Sequence, residues 1–121
     1  MTESTSRMAT PTGAELTRIL AALSNPHRLK IVATLAGGSV HVSQLAREVG
    51  LSRPLVHMHL QRLEAAGLVS GRLELSDDGK ALKLFEVTPF AIDLTPKLVV
   101  EAARTLDDES ELQTTSEKEE K

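Results

Sequence analysis

The 121-residue chain contains no cysteine, no tryptophan and no tyrosine, and its aromatics stop at Phe85 and Phe90. The absence of cysteine excludes a disulfide framework, an iron–sulfur cluster, a thiolate metal site and a cysteine nucleophile. Two phenylalanines leave almost nothing on which unpaired bases could stack, and sugar-binding or aromatic-cage chemistry is weakened for the same reason. No apolar run approaches the roughly 18 residues of a membrane span, and the polar start MTESTSRMATPTG has no signal-peptide core. No membrane partner is expected, and the cytoplasm is the expected location. Catalytic signatures are also missing. There is no glycine-rich phosphate loop and no His-Glu-x-x-His spacing, and Gly37-Gly38 follows a helical segment where a phosphate loop would precede one. Neither an enzyme nor a cofactor is expected.

What is present suits one small domain, with 40% hydrophobic residues to fill a modest core. The net charge of -3 conceals an uneven distribution. Residues 107–121 carry seven acids against Lys118 and Lys121, a net of -5, so the rest of the chain is +2. Within residues 24–72, Arg28, Lys30, Arg47, Arg53, Arg62 and Arg72 oppose only Glu48 and Glu64, and all four histidines fall there too. Such a local basic surface can hold phosphates whatever the overall charge, because the Debye length is only about 8 Å at physiological salt. An ordinary solvated face with a charge excess is the plainer alternative. Residues 1–11 and 107–121 lack apolar periodicity and are expected to be disordered, leaving 12–106 as the folded domain.

Between these ends, helical periodicity alternates with cap and stop signals. Thr12 and Glu15 fit a capping box, and Leu16, Ile19, Leu20 and Leu23 recur at helical spacing, which predicts a first helix ending near Leu23. Asn25-Pro26 begins a second, apolar on more than one face and stopped by Gly37-Gly38. Ser43 is the expected cap of a short third helix closed by Gly50, and Ser52 caps a fourth whose inner stripe is Val56, Leu60 and Leu63. With Val42 as place one, Ala46, Gly50 and Val56 occupy places five, nine and fifteen of a helix-turn-helix. A small residue there lets the helices approach, glycine permits the turn, and valine fills the gap between them. Leu68 to Leu75 and Leu82 to Val87 read as strands joined by SDDGK, whose Asp-Gly pair favours a hairpin turn. The expected fold is therefore mainly α with a small β-hairpin, a winged helix-turn-helix of about five helices and a two-stranded wing.

The stretch ALSNPHRLKIVATLAGG, with its Leu-x-x-Pro-x-Arg-Leu-x-Ile spacing, followed by VSQLAREVGLSRPLVHMHLQRLEAAGLV, resembles the arsenic-repressor (ArsR-type) winged-helix transcriptional regulators over roughly residues 14–106. The resemblance implies a cytoplasmic homodimer that binds double-stranded operator DNA through its fourth helix and wing and dimerises through its first and last helices. It implies that Ser52, Arg53, Pro54 and His57 occupy DNA-facing positions and that His59 takes the place of a histidine usual before the leucine in the family; structural support is the plainer and preferred reading of His59. Ser43, Gln44, Met58, Gln61, Arg62, Arg72, Lys80 and Lys83 complete the candidate DNA-contacting set. Arg53 and His57, four apart, are expected opposite the inner stripe of the fourth helix. Where the family's metal sensors carry Cys-x-Cys, this chain reads His41-Val42-Ser43, so no metal is expected to bind. His57 and His59, two apart on a helix, point about 200° apart and do not chelate one ion.

Thr95-Pro96 caps a last helix on which Val99, Ala102, Ala103 and Leu106 make a narrow apolar stripe. Leu16, Ile19, Leu20, Leu23, Leu98, Val99, Ala102, Ala103 and Leu106 are the expected dimer contacts, unless both helices fold back on their own domain. The rival function is a winged helix used for protein contacts. Arg53, His57, Arg62 and Arg72 discriminate the two: an open basic face favours DNA, whereas salt bridges over it favour a protein partner.

Overall fold

The structure is a computed structural model that describes residues 10–107. Among them are five helices and a three-stranded sheet: α1 (Gly13–Leu23), α2 (Pro26–Leu35), β1 (Val40–His41), α3 (Val42–Val49), α4 (Arg53–Ala65), β2 (Val69–Leu75), β3 (Ala81–Val87) and α5 (96–107). The chain divides into two compact units, residues 19–89 and a second built from the segments up to 18 and from 90 onward.

Most of the expected caps form. Thr12 and Glu15 exchange reciprocal bonds, the Thr12 N–H donating to Glu15 Oε1 at 2.9 Å and the Glu15 N–H to Thr12 Oγ1 at 3.1 Å. Asn25 Oδ1 accepts from the N–H groups of His27 and Arg28 at the start of α2, and Ser52 Oγ accepts from the Leu55 N–H at the start of α4. Ser43 is the exception. It lies inside the first turn of α3, and His41 holds the cap position without giving the turn a side-chain acceptor. The cause is β1, unforeseen in the sequence: His41 pairs with Leu84 of β3 in extended backbone, and the helix begins at the next residue.

The sheet order is β1-β3-β2, all antiparallel, so the central strand β3 has partners on both edges. Leu84 and Phe85, consecutive and therefore on opposite faces of β3, are both buried. Gly71 lies opposite Phe85 in the register. A Cβ at Gly71 would come within 2.8 Å of the Phe85 ring and of Lys83 Cε, so glycine is the residue that lets both side chains cross the strand. At the other end of the hairpin, residues 76–80 form a turn in which Gly79 adopts a φ of 85° and the Ser76 hydroxyl pairs with Asp78.

The core of the 19–89 unit is made by Ile31 and Leu35 of α2, Leu45 of α3, Val56, Leu60 and Leu63 of α4, and Leu68, all essentially inaccessible. Ala46 is buried between its neighbours and Gly50, at φ 73°, closes α3 with its N–H on the Ala46 carbonyl. The places that make a helix-turn-helix in the sequence thus make one in space.

In the other unit, the Gly13 N–H donates to Thr105 Oγ1 at 2.6 Å, and Thr105 Oγ1 donates to the Ala102 carbonyl at 2.8 Å. A Cβ at Gly13 would lie 2.2 Å from Leu106 Cγ, so the start of α1 touches α5. The expected dimer stripes are consequently divided. Leu16, Ile19 and Ala102 are buried within a single chain and have no surface left for a partner, because the chain's own packing has taken it. Leu20, Val99, Ala103 and Leu106 remain exposed, while Leu23 and Leu98 are half-buried. Of the expected tails, Pro11 is buried and α5 includes Asp107; the remainder, 1–9 and 108–121, lies outside the described residues.

Candidate nucleic-acid interface

Proline at the second position of α4 costs no hydrogen bond there, and the Ser52 cap fixes the direction in which the helix leaves the turn. Val56, His59, Leu60 and Leu63 point inward and leave the rest of α4 to solvent. At about 100° per residue, Pro54, Met58 and Gln61 stand directly opposite the buried stripe. Arg53 and His57 do not, contrary to the expectation from sequence. Arg53 is only about 20° from Leu60 around the helix, so it projects along the flank.

That flank borders a groove of about 250 Å³ lined by His41, Val42, Ser43, Arg53, His57, Ala81, Leu82 and Lys83. Three elements meet there: the first turn of α3, the first turns of α4, and the start of β3. Of the candidate residues, Ser43, Arg53, His57 and Lys83 are brought together, and no carboxylate lines the groove. Lys83 lies with its ammonium 5.6 Å from the Phe85 ring centroid, held by a weak cation–π attraction and by the space that Gly71 leaves for its stem. Arg53 and Arg62 are exposed and make no ion pair among the described residues.

The remaining candidates are scattered. Gln44 is engaged along its own helix, its Nε2 donating to Glu48 Oε2 at 2.9 Å. Lys80 sits in the hairpin turn, with its N–H on Ser76 Oγ. Arg72 is held between two carboxylates, with Nη1 2.6 Å from Glu86 Oε1 and Nη2 3.3 Å from Glu74 Oε2. Glu86 is kept below the usual carboxylate range, first by this bond from Arg72 and then by the Ser39 hydroxyl. Of the four discriminating residues, then, Arg53, His57 and Arg62 are open and only Arg72 is neutralised in place. His41 was absent from the candidate set. Its place in the groove follows from β1, which two residues of sequence are too short to signal.

His59 has no access to this surface. It is buried, its Nδ1 accepts from Arg28 Nε at 3.1 Å, and its ring lies 5.7 Å from that of His27. It serves as structural support, the plainer reading of this residue in the sequence.

A three-helix core with a helix-turn-helix, an open basic start to its second helix and an antiparallel wing defines a winged helix-turn-helix transcriptional regulator. The family model described as "Bacterial regulatory protein, arsR family" matches residues 25–70. An uncharacterised HTH-type transcriptional regulator of Methanocaldococcus jannaschii is 36% identical over 78 residues, which cover 64% of this chain and 81% of that protein. The chain belongs to the arsR family. A biofilm growth-associated repressor of Xylella fastidiosa is 34% identical over 58 residues, covering 48% of this chain and 51% of the relative. Among solved structures, the homodimeric winged helix-turn-helix DNA-binding domain from Mycobacterium bovis superposes with a TM-score of 0.56, covering 84% of each chain at 22% identity, a likeness of fold. No helix among the described residues is long and apolar enough to cross a membrane.

Proposed function

We propose that this protein is a cytoplasmic, non-enzymatic homodimeric repressor that occupies palindromic operator DNA and thereby excludes polymerase. In this reading α4 enters the major groove, Pro54, Met58 and Gln61 face the base edges, and Arg53 and His57 reach the bases or the sugar-phosphate edge from the flank. Ser43, Ser52, Arg62, Lys80 and Lys83 contact phosphates, which position the domain without reading sequence. The observation that carries the reading is the pair of unpaired cations, Arg53 and Lys83, around a groove free of carboxylates at the start of α4. A domain whose basic face served a protein partner would be under no need to keep that groove free of acids.

The homodimeric state of the Mycobacterium bovis domain supports the dimer, and the exposed Leu20, Val99, Ala103 and Leu106 are the apolar residues left for it. Twofold symmetry then requires inverted half-sites about one helical turn, or roughly 10 bp, apart. Selecting bound duplexes from a randomised library tests this. The expected result is an inverted repeat with that spacing, protected by one dimer, and recovery of unenriched sequence overturns it.

A further inference from the structure

Leu55 and Met58 of α4 are 45% and 42% exposed, at positions where a surface helix ordinarily carries polar groups. With Gln61 they fall at three-residue spacing, so the three form one ridge along the helix in which each side chain neighbours the next. At 1.5 Å per residue the ridge runs about 9 Å, close to three base steps of about 3.4 Å. Arg53 and His57 lie along one side of it and Arg62 along the other, and α4 holds no carboxylate from Arg53 to Leu63. An apolar ridge set among cations and free of acids matches an apolar group held inside an anionic lattice. The DNA major groove offers such a group in the C5-methyl of thymine, on the base edges that a helix in that groove faces. Gln61 adds the matching polar contact, because a carboxamide accepts from N6 and donates to N7 of adenine, the base paired with thymine.

We propose that Leu55 and Met58 are specificity-determining residues that read the C5-methyl groups of thymines at neighbouring base pairs of each operator half-site. The proposal rests on the DNA-binding reading and names what α4 recognises in it. Leu55 was absent from the candidate set, because a leucine in a helix reads as core until the fold leaves it exposed. Packing a thymine methyl against either side chain removes apolar surface of both from water. Cytosine lacks the methyl and presents an amino group where thymine presents O4, so it would set an unmatched polar donor against the ridge. Discrimination at these places comes from apolar contact and is therefore insensitive to salt, unlike the phosphate contacts around it.

The test uses the full chain and the duplex it selects from a randomised library, with single thymines replaced by deoxyuridine, which removes the methyl and nothing else. Anisotropy of the labelled duplex reads binding. Uracil should weaken binding about fourfold at each contacted thymine, the factor that corresponds to roughly 0.8 kcal/mol per buried carbon, and by the same factor at low and high salt. Leu55→Ala should abolish this loss at one of the two places and Met58→Ala at the other. Both side chains are exposed, so neither variant opens a cavity in the core. A selected half-site without thymine, a uracil cost below about twofold at every thymine, or a uracil cost that survives both substitutions overturns the proposal. A selected half-site indifferent to uracil leaves the repressor reading standing, whereas failure to enrich any sequence overturns both.

Discussion

The Arg28 side chain joins α2 to α4 by donating Nε–H to His59 Nδ1 across 3.1 Å, and its Nη1 reaches the Ala21 carbonyl near the end of α1 at 3.4 Å. Since arginine only donates, Nδ1 of His59 is the bare nitrogen and the ring is neutral. Burial first, and then the charges of Arg28 and His27, hold its pKa below the ordinary histidine value.

Linkage fixes the sign of the consequence. A base whose folded pKa is lowered binds protons more readily when unfolded, so its contribution to stability is complete above the ordinary value of about 6.5 and is lost as pH falls through the lowered folded value. Thermal melts from pH 7.5 down to pH 5 should show this loss in the wild type, and a smaller pH slope in His59→Asn, whose amide oxygen can still accept from Arg28. An identical slope in the variant would assign the pH dependence to other groups.

Arg53→Ala should weaken operator binding by about 1 to 3 kcal/mol and relax preference at one base-pair position if Arg53 reads a base. Parallel measurements on operator and random duplexes separate the roles. An equal loss on both would mean that Arg53 holds phosphate alone.

Arg72 provides the contrast within the wing. Its guanidinium already has Glu86 and Glu74 as partners, so Arg72→Ala should weaken DNA binding less than Arg62→Ala does, whereas Glu86→Gln should strengthen it, most at low salt. Anisotropy titrations across a salt series check the order, and a larger loss for Arg72→Ala than for Arg62→Ala would show that DNA displaces its carboxylates.

Gly13→Ala should destabilise the fold by about 1 to 3 kcal/mol, the usual cost of forcing an extra methyl into a filled contact. The new Cβ meets Leu106 and the Ala102 carbonyl, and Leu106→Ala should recover part of the loss by vacating the space. Denaturant unfolding of both single variants and the double variant measures that coupling. Strictly additive losses would mean that α1 and α5 adjust independently.

Val99→Asp and Ala102→Glu are expected to fail in different ways. Val99 is 47% exposed and Ala102 is 2% exposed, so the first should give a folded monomer and the second a loss of melting temperature, because the charge is buried in the chain's own packing. Sedimentation together with circular dichroism distinguishes the two. A Val99→Asp dimer that still protects an operator would exclude Val99 from the subunit interface.

By itself the sequence determined the elements whose causes are local. The Thr12–Glu15 box, the Asn25 and Ser52 caps, the Gly50 turn and the Thr95-Pro96 start each depend on residues within one helical turn of one another, and each is found where its signal lies. The Ala46, Gly50 and Val56 spacing carried the helix-turn-helix because each place has a fixed packing role between two consecutive helices joined by one tight turn. Tertiary structure alone decided what depends on distant partners. β1 exists because Val40 and His41 meet Phe85 and Leu84, and that pairing moved the start of α3 ahead of Ser43 and brought His41 to the groove. Arg72 lost its free charge to Glu86, fourteen residues away but adjacent across the hairpin. Ala102, one of four apparently equivalent stripe residues, was taken into the fold by Gly13. Periodicity shows that a helix has an apolar face, but which of those residues the chain buries itself depends on how closely another backbone approaches.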